Sequence, residues 1–568
     1  MKESIPSSSC LVAQAVVKML ENLGVRYAFG IAGGAIGAFW ASLQYSSIKL
    51  LNFRHESGAV FAAIESYLAS NNPVVVFTTT GPGITNALTG IMAARWEGAK
   101  VILVSPSTSS SQRGRWAFQE TSAYTFPQSD LFTSGKLFDF AATLETPSEL
   151  LEVSRRLALG LTHRGGFVAH ISIPTTIQTT SIEIPNLPSL KNLNQPPVTV
   201  SNETIDKCAQ LLLEGSFAIW IGYGSRHAAE AIRILAERTG AAVMSSPRGK
   251  GIFPENHSQF VGVTGFGGHD SVFDYLKQQC PLRTLVLGTR LGEFTSFWNP
   301  MLIPSKGFIH VDINPDVPGT AYPDVETLAI QSDIRTFVKT LLKYIPQHSN
   351  KEKTITLPNP KQNILEPNVN SPVRPEVLME IIQQVIVEGS QAIVMTEAGN
   401  SFAWGTHILR FSQPGRYRVS TGFGSMGHGT TGVLGAALAL QNKSVAIVGD
   451  GAMLMNNEVS TAVRYNIPAV WIVLNDGRYN MVDQGAKFLG IMDMDVEIPP
   501  TDFALMARSM GADSIRVEQE ANIKVALEKA MSSSLPFVVD VVIDPTCLAP
   551  SGSRNQSLNS QGVQGFKF

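Results

Sequence analysis

Apolar residues in this chain fall into short continuous runs separated by stretches in which they recur every three or four positions. Runs at 27–31, 48–53, 74–80 and 101–105 are followed by a second set at 217–221, 284–287 and 308–311, and a third at 391–396, 445–448 and 469–474. Short apolar runs bounded by glycine turns read as buried strands, and their alternation with helical periodicity predicts strand-helix-strand units in parallel sheets. The first helix is expected over 9–24, with Leu11, Ala15, Val16, Met19, Leu20 and Leu23 on one face and Gly24 as its stop.

Two stretches break this rhythm. Residues 180–199 and 348–374 are dominated by Pro, Asn, Ser and Lys, the composition of linkers. They divide the chain into three α/β domains, each a Rossmann-like open parallel sheet, at 1–180, 200–345 and 373–545. The remaining 546–568, rich in Ser, Gly, Asn and Gln, reads as a mobile tail or lid. A length of 568 residues is itself too great for a single core.

Composition narrows the partners. The net charge is −2 with 16% charged residues and no basic face, which argues against nucleic acid. No apolar run approaches the length of a membrane span, and the first residues lack the apolar segment of a secretory signal. Cys10, Cys208, Cys280 and Cys547 are scattered without a CxxC pair, so neither a disulfide framework nor a zinc site is expected, and the default compartment is the cytoplasm.

The candidate chemistry sits at two strand ends. The run 445–448 ends in Gly449-Asp450-Gly451, and 469–474 ends in Asn475-Asp476-Gly477, with a helix expected at 457–465 between them. Consecutive parallel strands place Asp450 and Asp476 side by side at one sheet's carboxyl edge. Two hard oxygen ligands beside glycines that admit close backbone approach suit Mg²⁺ and the phosphates it carries. Each tripeptide alone would be an ordinary turn. A third feature is Arg54-His55-Glu56 opening an Ala-rich helix, which as a local pattern is also just an acidic helix start.

Taken together these motifs resemble those of thiamine diphosphate enzymes, in which GDG and a downstream NN hold Mg²⁺ and the diphosphate. The resemblance runs from about residue 8 to 545. It implies a pyrimidine-binding first domain, a middle domain and a diphosphate-binding third domain. It implies metal ligation by Asp450, by Asp476 (where the family has Asn) and by the carbonyl of Arg478. Cofactor contacts carried over are Gly399, Asn400, Ser401, Gly424, Met426, Gly449, Gly451, Ala452 and Met481. Met426 falls where the family holds the cofactor bent, although a lone Met is equally at home in a core.

Glu56 matches the family's catalytic glutamate, which hydrogen-bonds N1′ of the aminopyrimidine so that the 4′ nitrogen can remove the C2 proton. Ala117-Phe118-Gln119-Glu120 is similar to the AFQE segment of acetolactate-synthase-like members, where Phe118 and Gln119 would lie near substrate. The chain most resembles those members, and within them the cyanobacterial branch that joins aromatic 2-oxo acids in scytonemin biosynthesis. The implied activity is a carboligase that decarboxylates one 2-oxo acid and couples it to a second. The implied assembly is a homodimer or homotetramer with shared sites.

Departures from the pattern matter as much. The flavin-binding stretch Gly-x-Arg-Phe-Asp-Asp-Arg stands here as Gly288-Thr289-Arg290-Leu291-Gly292-Glu293-Phe294, so FAD is not expected. A tryptophan that narrows the acceptor pocket is replaced by Gly485, which suggests bulky or aromatic substrates unless a loop or the tail fills the space. Two alternatives remain open: a 2-oxo acid decarboxylase, though Val482 stands where such enzymes carry a protonating glutamate, and a relative that binds cofactor without catalysis.

Overall fold

The computed structural model describes residues 9–126, 129–183, 186–193, 195–346, 356–361, 365, 372–455, 458–492, 494–552, 554–560 and 562. Three six-stranded sheets carry it. The first contains β1 (Tyr27–Gly30), β2 (Lys49–Asn52), β3 (Val74–Phe77), β4 (Lys100–Ser107), β5 (Phe140–Thr143) and β6 (Phe167–Pro174), in the order β2-β1-β3-β4-β6-β5. The second contains β7 (Phe217–Ile221), β8 (Ala242–Ser245), β9 (Phe260–Val263), β10 (Arg283–Leu287), β11 (Phe308–Asp312) and β12 (Thr327–Gln331), ordered β9-β8-β7-β10-β11-β12. The third contains β13 (Ile393–Thr396), β14 (Tyr417–Arg418), β15 (Ser444–Gly449), β16 (Ala469–Asn475), β17 (Asp513–Val517) and β18 (Phe537–Val542), ordered β14-β13-β15-β16-β18-β17. Neighbouring strands pair in parallel, for example Ala28 with Val75, Ala218 with Leu285's neighbour Thr284, and Trp471 with Val538.

The order of each sheet reverses at one point: between β1 and β3, between β7 and β10, and between β13 and β15. In open parallel sheets the loops leaving such a pair diverge, and the crevice at their carboxyl ends is where ligands bind. In the third sheet the flanking loops are Glu397-Ala398-Gly399 and Gly449-Asp450-Gly451.

The helices that shape the site are α1 (Glu56–Ser70), α2 (Pro82–Glu97), α3 (Asn400–Ile408), α4 (His428–Leu440), α5 (Asp450–Leu454), α6 (Val459–Tyr465), α7 (Asn480–Phe488) and α8 (Arg554–Ser560). The chain divides into two compact units. One is Met1–Pro196 with Phe423–Asn442 and Met455–Ala469, so α4 and α6 belong with the first sheet. The other is Pro197–Gly422, Lys443–Leu454 and Val470–Phe568, which holds the second and third sheets.

Within the first unit α1 and α4 approach almost backbone to backbone. A Cβ on Gly435 would sit 1.8 Å from the Ala62 carbonyl oxygen, and one on Gly432 would sit 2.8 Å from Glu65 Cγ. Helices apolar on every side are buried helices, and nearly all of α1 and α4 is buried. Among their buried polar residues, Glu65 and His428 are joined at 3.0 Å across that contact.

Three local expectations change. Residues 9–24 are not one helix: Ser9–Leu11 is a short strand antiparallel to Ser181–Glu183, and the helix is Val12–Asn22. The helix expected over 457–465 is described as Val459–Tyr465, with Asn456 and Asn457 outside the described residues. The tail contains α8, whereas 563–568 and much of the stretch 348–374 also fall outside those residues. Among the described residues no helix is long and apolar enough to cross a membrane.

Candidate active site

Asp450 follows the buried strand β15, and its carboxylate is closed in by backbone amides: Oδ1 accepts the N–H of Gly451 at 2.7 Å and Oδ2 that of Gly477 at 2.7 Å. The second bond spans the two strand ends, so the Gly477 turn (φ 69°) locks Asp476 beside Asp450. Gly451 has no room for a side chain, because a Cβ there would lie 2.6 Å from Tyr479 Cε1. Asp476 Oδ2 in turn accepts from Asn480 Nδ2 at 2.7 Å, at the start of α7.

Burial raises the pKa of Asp450. Burial first, and then the neighbouring Asp450 charge, pushes Asp476 up to about 7. Two shielded carboxylates that repel one another suit a cation between them. Among the described residues no group of three or more His, Cys, Asp or Glu could hold a metal. A cation held here would have two carboxylates, with backbone oxygen and oxygens brought with a ligand to complete its shell. That is the set Mg²⁺ uses when it carries a diphosphate. The Arg478 carbonyl already accepts the Asn480 N–H at 2.9 Å and keeps a second lone pair.

Across the reversal point of the same sheet, Gly399 caps α3 with φ 119° and ψ −158°, a conformation open only to glycine. Asn400 and Ser401 form the first turn, with Ser401 Oγ donating to the Glu397 carbonyl at 2.8 Å. Nothing lies within 4 Å of where a Cβ would be on Gly399 or Gly449, so both turns present open backbone, as a phosphate cradle needs. Ala452 is buried behind Asp450, and Met481 packs partly against the core of this sheet.

The remaining expected residues lie in the first unit. Glu56 begins α1 and is 6% exposed. His55 caps that helix, its Nδ1 accepting the Ser57 N–H at 3.2 Å, while Asn86 Nδ2 donates to Glu56 Oε2 at 3.2 Å. Gln119 adopts a left-handed backbone (φ 53°), and its Oε1 accepts from Thr80 Oγ1 at 3.1 Å. Phe118 is 90% exposed. Gly424 (φ 64°) and half-buried Met426 lie in the turn before α4.

Sequence reasoning passed over Glu458. Fully buried, it accepts the backbone N–H of Arg54 at 3.0 and 3.1 Å, the N–H of His55 at 3.0 Å and the hydroxyl of Thr461. It thus fixes the two residues that lead into Glu56. No local pattern could mark it, because its partners are main-chain amides 404 and 403 positions away.

Nor is the space beside Gly485 a void. A Cβ on Gly485 would meet the guanidinium of Arg554, with Nη1 at 3.0 Å. The tail is tied along α7: Asn480 Nδ2 donates to the Pro545 carbonyl at 3.0 Å, and Gln484 bonds the Cys547 carbonyl at 3.0 Å and the Ala549 N–H at 3.1 Å. The described part of the tail is held here at Cys547, Ala549 and Arg554, and the space inferred from the missing indole is occupied by a cation.

Comparison with known proteins identifies the domains. Residues 11–126 match the N-terminal TPP-binding domain of thiamine pyrophosphate enzymes, 205–341 the central domain and 397–541 the C-terminal TPP-binding domain. The chain is 29% identical to a probable acetolactate synthase large subunit of Methanocaldococcus jannaschii, over 95% of this chain and 94% of that protein. It is 25% identical to the acetolactate synthase isozyme 2 large subunit of Escherichia coli K12, over 96% and 98%. It is 24% identical to a putative thiamine pyrophosphate-containing protein, YdaP, of Bacillus subtilis, over 93% and 91%. With all three domain models matched in order, and relatives aligned along nearly its whole length, the chain belongs to the thiamine pyrophosphate enzymes.

Proposed function

We propose that the protein is an acetolactate-synthase-like carboligase that uses thiamine diphosphate and Mg²⁺. One 2-oxo acid loses its carboxylate as CO₂, its acyl carbon forms a new bond to the keto carbon of a second 2-oxo acid, and one proton is taken up at the resulting alkoxide. Bound thiamine diphosphate supplies the carbon nucleophile and the electron sink for this sequence. The observation that carries the reading is the pairing of buried Asp450 with half-buried Asp476, bridged by Gly477 beside the open glycine turn at Gly399.

The chain's own groups have separable roles. Asp450, Asp476 and the Arg478 carbonyl hold the metal, and the Gly399-Asn400-Ser401 turn holds the diphosphate. Glu56 is shielded from water and engaged at Oε2 by Asn86, which leaves Oε1 to share a proton with the cofactor's ring nitrogen. Val482, 47% exposed, has no proton to give, which favours coupling over release of an aldehyde. At position 485 the guanidinium of Arg554 fills space an indole would take, so the reading of bulky, aromatic substrates rests on the family resemblance and not on open space there.

No flavin is required in this reading. The turns at the reversal point of the second sheet press on one another: a Cβ on Gly222 would lie 2.5 Å from the Gly288 carbonyl oxygen, and one on Gly224 3.0 Å from Gly288 Cα. The working unit is a homodimer or larger homo-oligomer, as family resemblance implies.

The test is incubation of purified protein, thiamine diphosphate and Mg²⁺ with a panel of aliphatic and aromatic 2-oxo acids, with products identified by mass spectrometry. Ligated 2-hydroxy-3-oxo acids and CO₂ are expected. Glu56→Gln should abolish them while calorimetry still shows cofactor binding. Aldehydes as the sole products, or activity lost on removal of FAD, would overturn the reading.

A further inference from the structure

The middle domain has no part in the proposed chemistry, yet two loops at the carboxyl ends of its strands close on the helix that presents the diphosphate turn. That helix, α3, starts beyond Gly399 and ends at Ile408. The last carbonyls of a helix have no partner inside it and need donors from elsewhere. Here the Gly405 carbonyl is met by the Leu409 N–H at 3.2 Å, and those of Thr406 and His407 are met by side chains from the second sheet. Lys250, in the loop after β8, places Nζ 3.0 Å from the Thr406 carbonyl. His269, in the loop after β9, accepts the Val263 N–H on Nδ1 at 3.0 Å, so Nε2 carries the proton and donates to the His407 carbonyl at 2.8 Å.

The fit is close along this contact. A Cβ on Gly267 would lie 2.7 Å from the Ala403 carbonyl oxygen, and one on Gly251 would lie 2.9 Å from Phe411 Cβ, just past the helix. Phe266 meets Phe402 edge to face at 5.0 Å. On β14, Tyr417 Oη bonds Thr406 Oγ1 at 2.8 Å and Thr396 Oγ1 at 2.9 Å, which ties the end of α3 back to the strand that leads into the Gly399 turn.

From these contacts we infer that Lys250 and His269 are positioning residues for the cofactor: they cap the far end of α3 and so fix where its first turn presents backbone N–H groups to the diphosphate. The inference rests on the assignment of the Gly399 turn to the diphosphate, and it gives the middle domain a task that needs no flavin. Charge is not the means. Lys250 Nζ is bonded to Glu255 Oε2 at 2.7 Å, and both side chains are buried. Burial lowers the pKa of Lys250 and raises that of Glu255, and each partner opposes the other's shift. Wherever the shared proton sits, the pair is neutral overall, so it sends little field over the roughly 9 Å from Thr406 back to Asn400. The nitrogen keeps an N–H for Thr406 in either state. What reaches the first turn is geometry, because a helix of nine residues moves as one body and carries a shift of its last turn to its first.

The experiment measures binding of thiamine diphosphate with Mg²⁺ by calorimetry in two double variants. Lys250→Met/Glu255→Gln deletes the donor to Thr406 without leaving a buried charge unpaired, and Lys250→Gln/Glu255→Gln removes both charges but keeps an N–H there. Cofactor affinity should weaken at least about tenfold in the first and stay within about threefold of wild type in the second. Hydrogen exchange in a peptide covering 400–410 of the cofactor-free protein should accelerate only in the first. In turnover the loss should lie in the KM for the cofactor, with kcat recovering at saturation, whereas a general loss of stability would lower kcat and the melting temperature together. His269→Leu should give the same split, and His269→Gln, whose amide N–H stands near the place of Nε2, should relieve it; these single variants give the answer if a double variant fails to fold. Wild-type affinity in both Lys250→Met/Glu255→Gln and His269→Leu, or an equal loss in Lys250→Gln/Glu255→Gln, would overturn the inference. If the wild-type protein itself bound no thiamine diphosphate, the proposed function would fail instead.

Discussion

Glu458 offers the sharpest test of how Glu56, the proposed catalytic glutamate, is positioned. Its carboxylate has no exposure and accepts two main-chain N–H groups, those of Arg54 and His55, besides the Thr461 hydroxyl. Glu458→Ala strands both amides in a dry environment. A buried donor left without a partner costs about 1–3 kcal/mol, so the pair amounts to about 2–6 kcal/mol before any term for the cavity. Glu458→Gln keeps one acceptor oxygen and removes the charge that burial penalises, so it should fall between the wild type and Ala. A chain of this size need not unfold in one step, and a local measurement is therefore preferable. Hydrogen–deuterium exchange in a peptide covering 53–60 should accelerate at the Arg54 and His55 amides by at least about 30-fold in the Ala variant, the equivalent of about 2 kcal/mol. The consequence for function follows from geometry, since Glu56 is the next residue. A misplacement of about 1 Å can cost about a hundredfold in rate, so cofactor activation in Glu458→Gln should drop while cofactor affinity holds. Exchange at 53–60 within threefold of wild type in Glu458→Ala would refute the argument.

Two further predictions concern charge. Asp450→Ala removes the acceptor for the Gly451 and Gly477 amides together with one proposed metal ligand, so calorimetry should show Mg²⁺ and thiamine diphosphate binding weakened by at least about tenfold, and wild-type affinity would contradict the metal assignment. His170 is wholly buried between Ser105 and the Leu131 carbonyl, and burial lowers its pKa from 6.5 to about 4. The neutral ring is therefore favoured in the fold, and its contribution is present above pH 6.5 and lost as pH falls toward 4, by about 3 kcal/mol in all. Denaturant titrations between those limits should show that slope reduced by one proton in His170→Gln, whatever the variant's absolute stability.

What the sequence displayed was what local chemistry determines. The strand runs and the turns at Gly449-Asp450-Gly451 and Asn475-Asp476-Gly477 are short-range signals, and β15 and β16 do lie side by side with those aspartates at their ends. Pairing partners far along the chain were not displayed. Ser9–Leu11 has helical periodicity yet forms a strand, because Ser181–Glu183 arrives to pair with it. Arg554 was invisible as a wall residue for the same reason: nothing in a Ser- and Asn-rich tail announces that one of its arginines will lie over a glycine 69 positions earlier. The close contact of α1 with α4 was more legible, since a helix reading His428-Gly429-Thr430-Thr431-Gly432 onward, apolar and small on every side, must be buried by something.

The first and third sheets share one strand order, each reversing between its first and third strands, yet they differ in charge at the place where a ligand would enter. After its third strand the third sheet has Gly449-Asp450-Gly451, and the first has Thr78-Thr79-Thr80-Gly81. After its first strand the third sheet has Glu397-Ala398-Gly399, and the first has Ile31-Ala32-Gly33. Identical topology thus supplies two crevices, one anionic and one neutral. A diphosphate carries too much negative charge to be buried against carboxylates without a cation, so the anionic crevice is useful only with a metal. A heteroaromatic ring needs the opposite: an uncharged wall and a single shielded acid, the role proposed for buried Glu56 at the start of α1. In the proposed function the division of labour between the two sheets would follow from which strand ends carry aspartate, since the strand order, being the same in both, does not decide it.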